Sequence, residues 1–184
     1  MIPVKKKLFA LGLALVMVLV LAACGGGSTT STASPAPSAQ TEGQEGNAND
    51  GFEAYTFLVS DGAVNYAVQV NADMADVLAA IGEPQSYFEA ESCAFKGLDK
   101  TYTYAGYVIT TRPDGEKDFV NSILLTDDSV TTAEGIYIGS ARADVTAAYG
   151  EAEGEAMLSY TKGDCVLNFI FDGDTVLSIE YLPA

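Results

Sequence analysis

Three cysteines, several paired carboxylates and ten tyrosines are the side chains of this 184-residue chain that could do chemistry, and it contains no histidine. Without an imidazole there is no Ser-His or Cys-His nucleophile pair, no HExxH zinc site and no base that titrates near neutral pH. Cys93 and Cys165 are the thiols left once Cys24 is accounted for below. Outside the cytoplasm they either join as a disulfide or remain two buried apolar thiols, and the spacing permits both. Asp127-Asp128, Asp172-Gly173-Asp174 and the glutamates at 151, 153 and 155 supply the hard oxygen ligands Ca²⁺ takes. None follows the D-x-[DN]-x-[DN]-G loop, so they read as solvated turns, and no metal or other cofactor is expected. Tyr102, Tyr104 and Tyr160 share strand parity with Leu158, which makes them core residues with hydroxyls at the rim rather than a sugar-stacking platform. No catalytic residue is assigned.

The N-terminal segment accounts for the remaining cysteine. Lys5, Lys6 and Lys7 precede an uncharged run of 16 residues, Leu8 to Ala23, which leads into Cys24. A membrane-spanning helix wants about 20 apolar residues, and this run ends in small ones, as a cleavable signal does. Residues 1–23 are therefore expected to be a signal peptide. The Leu21-Ala22-Ala23-Cys24 ending resembles the lipobox of bacterial lipoproteins. That resemblance implies a diacylglycerol on the Cys24 thiol and cleavage that leaves Cys24 as the new N-terminus. The alternative is an uncleaved membrane anchor with an incidental cysteine.

Residues 24–51 are expected to be the lipidated cysteine and a disordered tether. Positions 25–50 hold 5 Gly, 4 Ser, 4 Thr, 4 Ala and 2 Pro, with no Val, Ile, Leu, Met or aromatic residue to bury. A flexible chain of that length has an end-to-end distance of roughly 30 Å, so a domain beyond it stays near the membrane surface. With 9 basic and 25 acidic residues the net charge is −16, and the sequence pI near 4.1 excludes nucleic acid as a partner. Three of the basic residues lie in the signal and all acids follow Cys24, so the mature charge is 6 − 25 = −19. An anionic leaflet repels such a body, which leaves the lipid as the membrane attachment.

Residues 52–184 are long enough for one domain with a real core. They contain an internal repeat, about 64–126 and 134–182. Asp76-Val77-Leu78-Ala79-Ala80-Ile81-Gly82-Glu83 matches Asp144-Val145-Thr146-Ala147-Ala148-Tyr149-Gly150-Glu151 at six of eight positions, with an offset of 68. Val120-Asn121-Ser122-Ile123 matches Val176-Leu177-Ser178-Ile179 at an offset of 56, so the first copy carries about 12 extra residues, roughly Phe88 to Asp99. Each copy reads as a helix followed by an antiparallel meander. Met74, Val77, Leu78 and Ile81 form one helical face, Asn71 and Ser140 are placed to cap the two helices, and Gly82 and Gly150 end them. Strands are expected at 101–105, 107–112, 119–126, 157–161, 165–171 and 175–182, and a leading hairpin at 55–59 and 64–70 around Asp61-Gly62. The expected fold is α+β, with the two repeats sharing one sheet and both helices packed on one face.

Strand alternation then divides the sheet. Cys165, Leu167, Phe169 and Phe171 share the helix-covered face with Ile109, Thr111, Ile123, Leu177, Ile179 and Tyr181. Thr110, Arg112, Ser122, Asn168, Ser178 and Glu180 fall on the opposite face among Val108, Val120, Val166 and Val176, and this is the candidate partner-binding surface. Arg112, expected near Glu180, is the position assigned to orient an acidic or carbonyl-rich partner. The alternative is an ordinary half-exposed sheet whose outer valines merely satisfy strand propensity.

The lipobox, the Ser/Thr/Gly tether, "DVLAAIGEP" and "DVTAAYGEAEG" at the helix ends, and "SCAFKGLDKTYTYAGYVITTRPDGEKDFVNSI" together resemble uncharacterised Gram-positive lipoproteins with a beta-lactamase inhibitor protein-like (BLIP-like) fold, similar also to the SmpA/OmlA family. The resemblance covers most of 70–181. It implies a noncatalytic architecture in which a curved sheet faces a protein partner. None of the inhibitor's contact residues can be matched, so inhibition of a particular enzyme is not implied. The expected function is thus a membrane-anchored extracytoplasmic module that binds a protein or an envelope component. The alternatives are a carboxylate-based wall hydrolase, which needs two acids of different pKa facing one cleft, and a small solute- or metal-capturing lipoprotein.

Overall fold

The computed structural model describes residues 51–60 and 65–184. The signal segment, Cys24, the tether up to position 50 and the Asp61-Gly62 turn lie outside the described residues. Eleven elements follow in chain order: β1 (Phe57–Ser60), β2 (Asn65–Val68), α1 (Met74–Ile81), β3 (Ser86–Glu91), β4 (Leu98–Thr103), β5 (Tyr107–Asp114), β6 (Lys117–Leu125), α2 (Arg142–Tyr149), β7 (Met157–Lys162), β8 (Cys165–Asp172) and β9 (Thr175–Pro183). β1 and β2 form a two-stranded sheet, and the other seven strands form one antiparallel sheet in the order β3-β4-β5-β6-β9-β8-β7. Among the described residues no helix is long and apolar enough to cross a membrane.

The α+β expectation is overturned. Strand accounts for 48% of the structure and helix for only 12%. Each helix spans eight residues; α1 buries Met74 and Val77, and α2 buries Val145 alone. Both stop at glycines with positive φ, Gly82 (81°) and Gly150 (91°), where the chain turns away. Helices this short do not form a layer over seven strands. Phe57, Val68, Ala54 and Ile136 contribute to the same core cluster, so the leading hairpin and loops share in covering the apolar side of the sheet. The Phe57 ring lies edge-on to Tyr107, with centroids 4.9 Å apart, and 6.1 Å from Tyr181.

Helix starts also differ from expectation by one or two residues. Asp73 caps α1, accepting from the Ala75 N–H at 3.1 Å. Asn71 sits instead at φ 64°, where Gly139 stands in the second copy at φ 107°, so this site requires a left-handed residue rather than a cap. Ala141 is the start of α2, and its N–H donates to the Asp144 carboxylate at 3.1 Å, while the Ser140 hydroxyl accepts from the Tyr137 N–H.

The repeats are related by a local two-fold through the middle of the sheet. Leu124 and Glu180 correspond at the offset of 56 and also lie directly opposite each other, flanked by Ile123–Tyr181 and Leu125–Ile179. Each copy repeats the same fastenings. The Tyr104 hydroxyl donates to the Gly82 carbonyl at 3.0 Å and the Tyr160 hydroxyl to that of Gly150 at 2.9 Å, tying the end of α1 to the residue after β4 and the end of α2 to β7. Val120 exchanges backbone bonds with Asn71 and Ala72, as Val176 does with Gly139 and Ser140. The extra residues of the first copy become β3, its turn and the start of β4.

The assignment of sides to β6 and β9 needs correction. The pairing shifts between Thr110 and Thr111 and again between Ile170 and Phe171, leaving Asn121 and Leu177 as extra residues of β-bulges. A bulge reverses side-chain parity beyond it, because alternation has period two. Val120 and Val176, expected outside, are therefore buried at 0% and 1% exposure, while Leu177, expected inside, is 59% exposed.

Candidate functional site

The sheet has two chemically different faces. Tyr107, Ile109, Ile123, Leu125, Leu167, Phe169, Ile179 and Tyr181 form the buried one. On the other, a row of directly opposed residues crosses all seven strands: Ser86, Thr103, Val108, Leu124, Glu180, Asn168 and Ser159. Its central members are half-buried and its ends exposed, the pattern of a face over which no further layer of the described residues lies.

All six candidate residues are on this face or at its margin, but they do not form one cluster. Thr110 and Ser122 hydrogen-bond to each other at 2.9 Å, and Ser122 is 6% exposed, so neither hydroxyl stands free. Glu180 lies at the two-fold, beside Asn168, whose Oδ1 is buried with no hydrogen-bond partner. Ser178 is one rung away, opposite Ile170. Arg112 departs from expectation. It lies four residues along β5 from Val108, the β5 member of the Glu180 row, which is roughly 13 Å of strand. Its guanidinium donates to Asn71 Oδ1 at 3.2 Å and lies 5.6 Å from the Phe119 ring centre, and Asn71 in turn donates to Asp164 at 3.0 Å. Arg112 thus fastens the start of the first repeat to the β7–β8 turn.

Residue-type reasoning missed the apolar side chains that border this face: Phe88 (66% exposed), Met157 (44%), Ile170 (39%) and the bulged Leu177. Ile170 was legible, since it shares parity with Val166 and Asn168; Phe88 was not, because it fell among the extra residues of the first copy, to which no strand was assigned.

The disulfide is not formed. Cys93 is a free, exposed thiol in the β3–β4 turn, and Cys165 is free and buried on β8, five strand positions away in the sheet order. Burial pushes the Cys165 thiol up to about 12, the opposite of what a nucleophile needs. The carboxylate groups are also apart. Asp127 accepts from the Ser129 N–H and hydroxyl within its own turn, which holds its carboxyl below the usual range. Asp172 and Asp174 are exposed in the β8–β9 turn, and Glu151, Glu153 and Glu155 are exposed before β7. Among the described residues no three His, Cys, Asp or Glu side chains are grouped to hold a metal. A groove of about 350 Å³ beside β1, lined by Phe57, Val59, Gln85, Tyr104 and Val130, includes one carboxylate, Glu83.

The tyrosines read as core are core: Tyr102, Tyr104 and Tyr160 are 6–8% exposed. Burial pushes Tyr104 and Tyr107 up to about 12, and it raises Tyr149 and the fully buried Tyr181 as well; Tyr149 donates to the Glu134 carboxylate. These groups stay protonated in the folded protein and ionise near 10 for tyrosine and 9 for cysteine when unfolded. A raised folded-state pKa stabilises fully below the unfolded value and is lost as pH climbs through the folded one. The urea midpoint is therefore expected to hold level to about pH 9 and to fall between about 9 and 12. The tyrosinate absorbance of Tyr104, Tyr107, Tyr149 and Tyr181 should appear with unfolding and not before it; ionisation of these four in the folded protein would contradict this core.

No family model matches the chain, and neither does any curated protein or solved structure.

Proposed function

We propose that this chain is a lipoprotein held at the extracytoplasmic side of the cell membrane by a lipid on Cys24, and that its domain binds another extracytoplasmic protein without catalysing a reaction. The observation that carries this reading is the seven-residue row across the uncovered sheet face, in which Val108 and Leu124 stand among hydroxyl and amide side chains around Glu180. An apolar centre ringed by polar side chains, one of them, Asn168, with a buried oxygen that lacks a partner, is the anatomy of an interface. A mature charge of 6 − 25 = −19 favours a partner of net positive charge and speeds its approach at low salt. The lipobox and tether support the location.

Substituting Ser122, Asn168 and Ser178 together by Lys tests it. A photo-crosslinker at Thr103, on the same row, is expected to capture one defined cationic protein in intact cells. The triple variant is expected to lose that capture. Because Ser122 is buried and bonded to Thr110, its substitution also costs stability. The Asn168→Lys, Ser178→Lys pair, at half-buried positions, is therefore the second variant and is expected to lose capture while remaining folded. Undiminished capture by a folded triple variant overturns the assignment of this face.

A further inference from the structure

The two rims of the sheet are finished differently. At the second repeat's rim the chain before β7 closes the strand: Gly154 lies against the Met157 carbonyl, and the Arg142 guanidinium holds the Gly154 and Glu155 carbonyls. At the first repeat's rim the inserted residues end the sheet in β3, which pairs with β4 alone. The Ser92 N–H donates to the Gly97 carbonyl at 3.0 Å and the Tyr104 N–H to the Tyr107 carbonyl at 2.9 Å. By the alternation of an antiparallel ladder both bonds lead to one pattern, in which Ser86, Phe88 and Ala90 bond to β4. The N–H and C=O groups of Tyr87, Glu89 and Glu91 then point outward, with no backbone partner among the described residues, and all six residues of β3 are exposed. The exposed Phe88 ring shares one face of this edge with Ser86 and Ala90, and Glu89 and Glu91 share the other with Tyr87. Lys100 stands opposite Glu89 but gives its ammonium to Asp118 at 2.6 Å, so that cation is already engaged.

We infer that β3 takes an extended segment of a basic partner protein as an eighth strand, one in which cationic and apolar residues alternate. This names the binding mode and partner chemistry of the protein-binding reading above and rests on it. Strand addition supplies main-chain hydrogen bonds, and the side chains in register supply selectivity. In an antiparallel guest the residues opposite Glu89 and Glu91 share their face, so Lys or Arg is the complement there. Those opposite Phe88 and Ala90 share the other face, where a β-branched residue covers the exposed ring. The charge that selects a cation also disfavours a second copy. Two mature chains of −19 (6 − 25) repel, and pairing β3 with β3 brings Glu89 and Glu91 of both copies onto one face of the joined sheet.

The probe is a fluorescent peptide, Thr-Lys-Val-Lys-Val-Lys-Thr with blocked ends, and its binding to the full chain, purified in detergent, is read by anisotropy. Saturable binding that weakens as salt rises is expected. N-methylation of the lysine amides keeps the charge and removes the N–H groups that face β3, so it should weaken binding at least about tenfold. Glu89→Pro removes an outward N–H and no ladder bond, and should also weaken binding at least about tenfold with the circular dichroism spectrum unchanged. Glu89→Gln together with Glu91→Gln, which keeps the backbone intact, should weaken it several-fold and flatten the salt dependence. Absence of saturable binding, equal binding of the N-methylated peptide, or equal binding by a folded Glu89→Pro chain overturns the proposal. So does a concentration-dependent dimer that Glu89→Pro abolishes, because the occupant is then a second copy. The broader reading fails separately. If the Asn168→Lys, Ser178→Lys pair loses capture in cells while Glu89→Pro keeps it, the face stands and the edge falls; if both keep it, the face reading falls as well.

Discussion

Val77→Asp is expected to unfold the domain at room temperature, and Val145→Asp to do nearly the same. Both valines have no exposed surface, and they occupy the same position in the two repeats. A carboxylate placed there meets apolar side chains with no cation beside it, and an unpaired buried charge costs several kcal/mol. A domain of this size has about 5–15 kcal/mol of total stability, so one such change consumes most of it. Ala79→Asp, on the exposed side of α1, should shift the urea midpoint little. The comparison separates burial from helix propensity, because all three changes place aspartate inside an eight-residue helix. Unfolding in urea followed by circular dichroism provides the measurement. A loss under about 1 kcal/mol at Val77 would mean that the helix does not seal the core.

The same core predicts that residues 52–130 alone do not fold cooperatively. β6 would lose β9, Phe57 would lose the Tyr181 ring, and Asn71 would lose its bond to Asp164. Autonomous folding of that fragment would make the repeats independent domains.

The other large effect concerns the membrane. Cys24→Ala is expected to abolish incorporation of labelled fatty acid into the chain and to leave a precursor that still carries residues 1–23. On the proposed reading the thiol is the atom that would receive the lipid, and alanine offers no nucleophile in its place. On that reading the mature chain carries a charge of −19 (6 − 25) and has no electrostatic attraction to an anionic leaflet, so attachment would rest on the lipid and on any uncleaved signal. A gel shift against the unsubstituted chain reads processing, and a labelled fatty acid reads modification. Normal processing with retained label would show that the Leu21-Ala22-Ala23-Cys24 ending does not act as a lipobox.

Local patterns determined a good deal of this protein. Glycine stops at 82 and 150, Asp-Gly turns at 114–115 and 172–173, and alternating apolar runs marked the later strands to within a few residues, because each depends on neighbours close in the chain. The repeat at offsets 68 and 56 was visible as identity, and it foretold matched elements that the two-fold at Leu124 and Glu180 joins into one sheet.

What the pattern did not carry depended on partners far apart in sequence. The bulges at Asn121 and Leu177 turn Val120 and Val176 inward, and a bulge shows only when one strand is counted against another. The fate of the inserted residues depended on the open edge of β4, which drew Ser86–Glu91 into the sheet. Arg112 lies on the outer face by parity, as expected, but Asn71 and Phe119 hold its guanidinium, and Asn71 is 41 residues away. The fold class turned on the same physics. Amphipathic spacing shows that a helix has an apolar side, but only the packed structure decides how much surface that side covers. Here two eight-residue helices, the leading hairpin and the loops divide the apolar face among them, and among the described residues the opposite face carries no further layer.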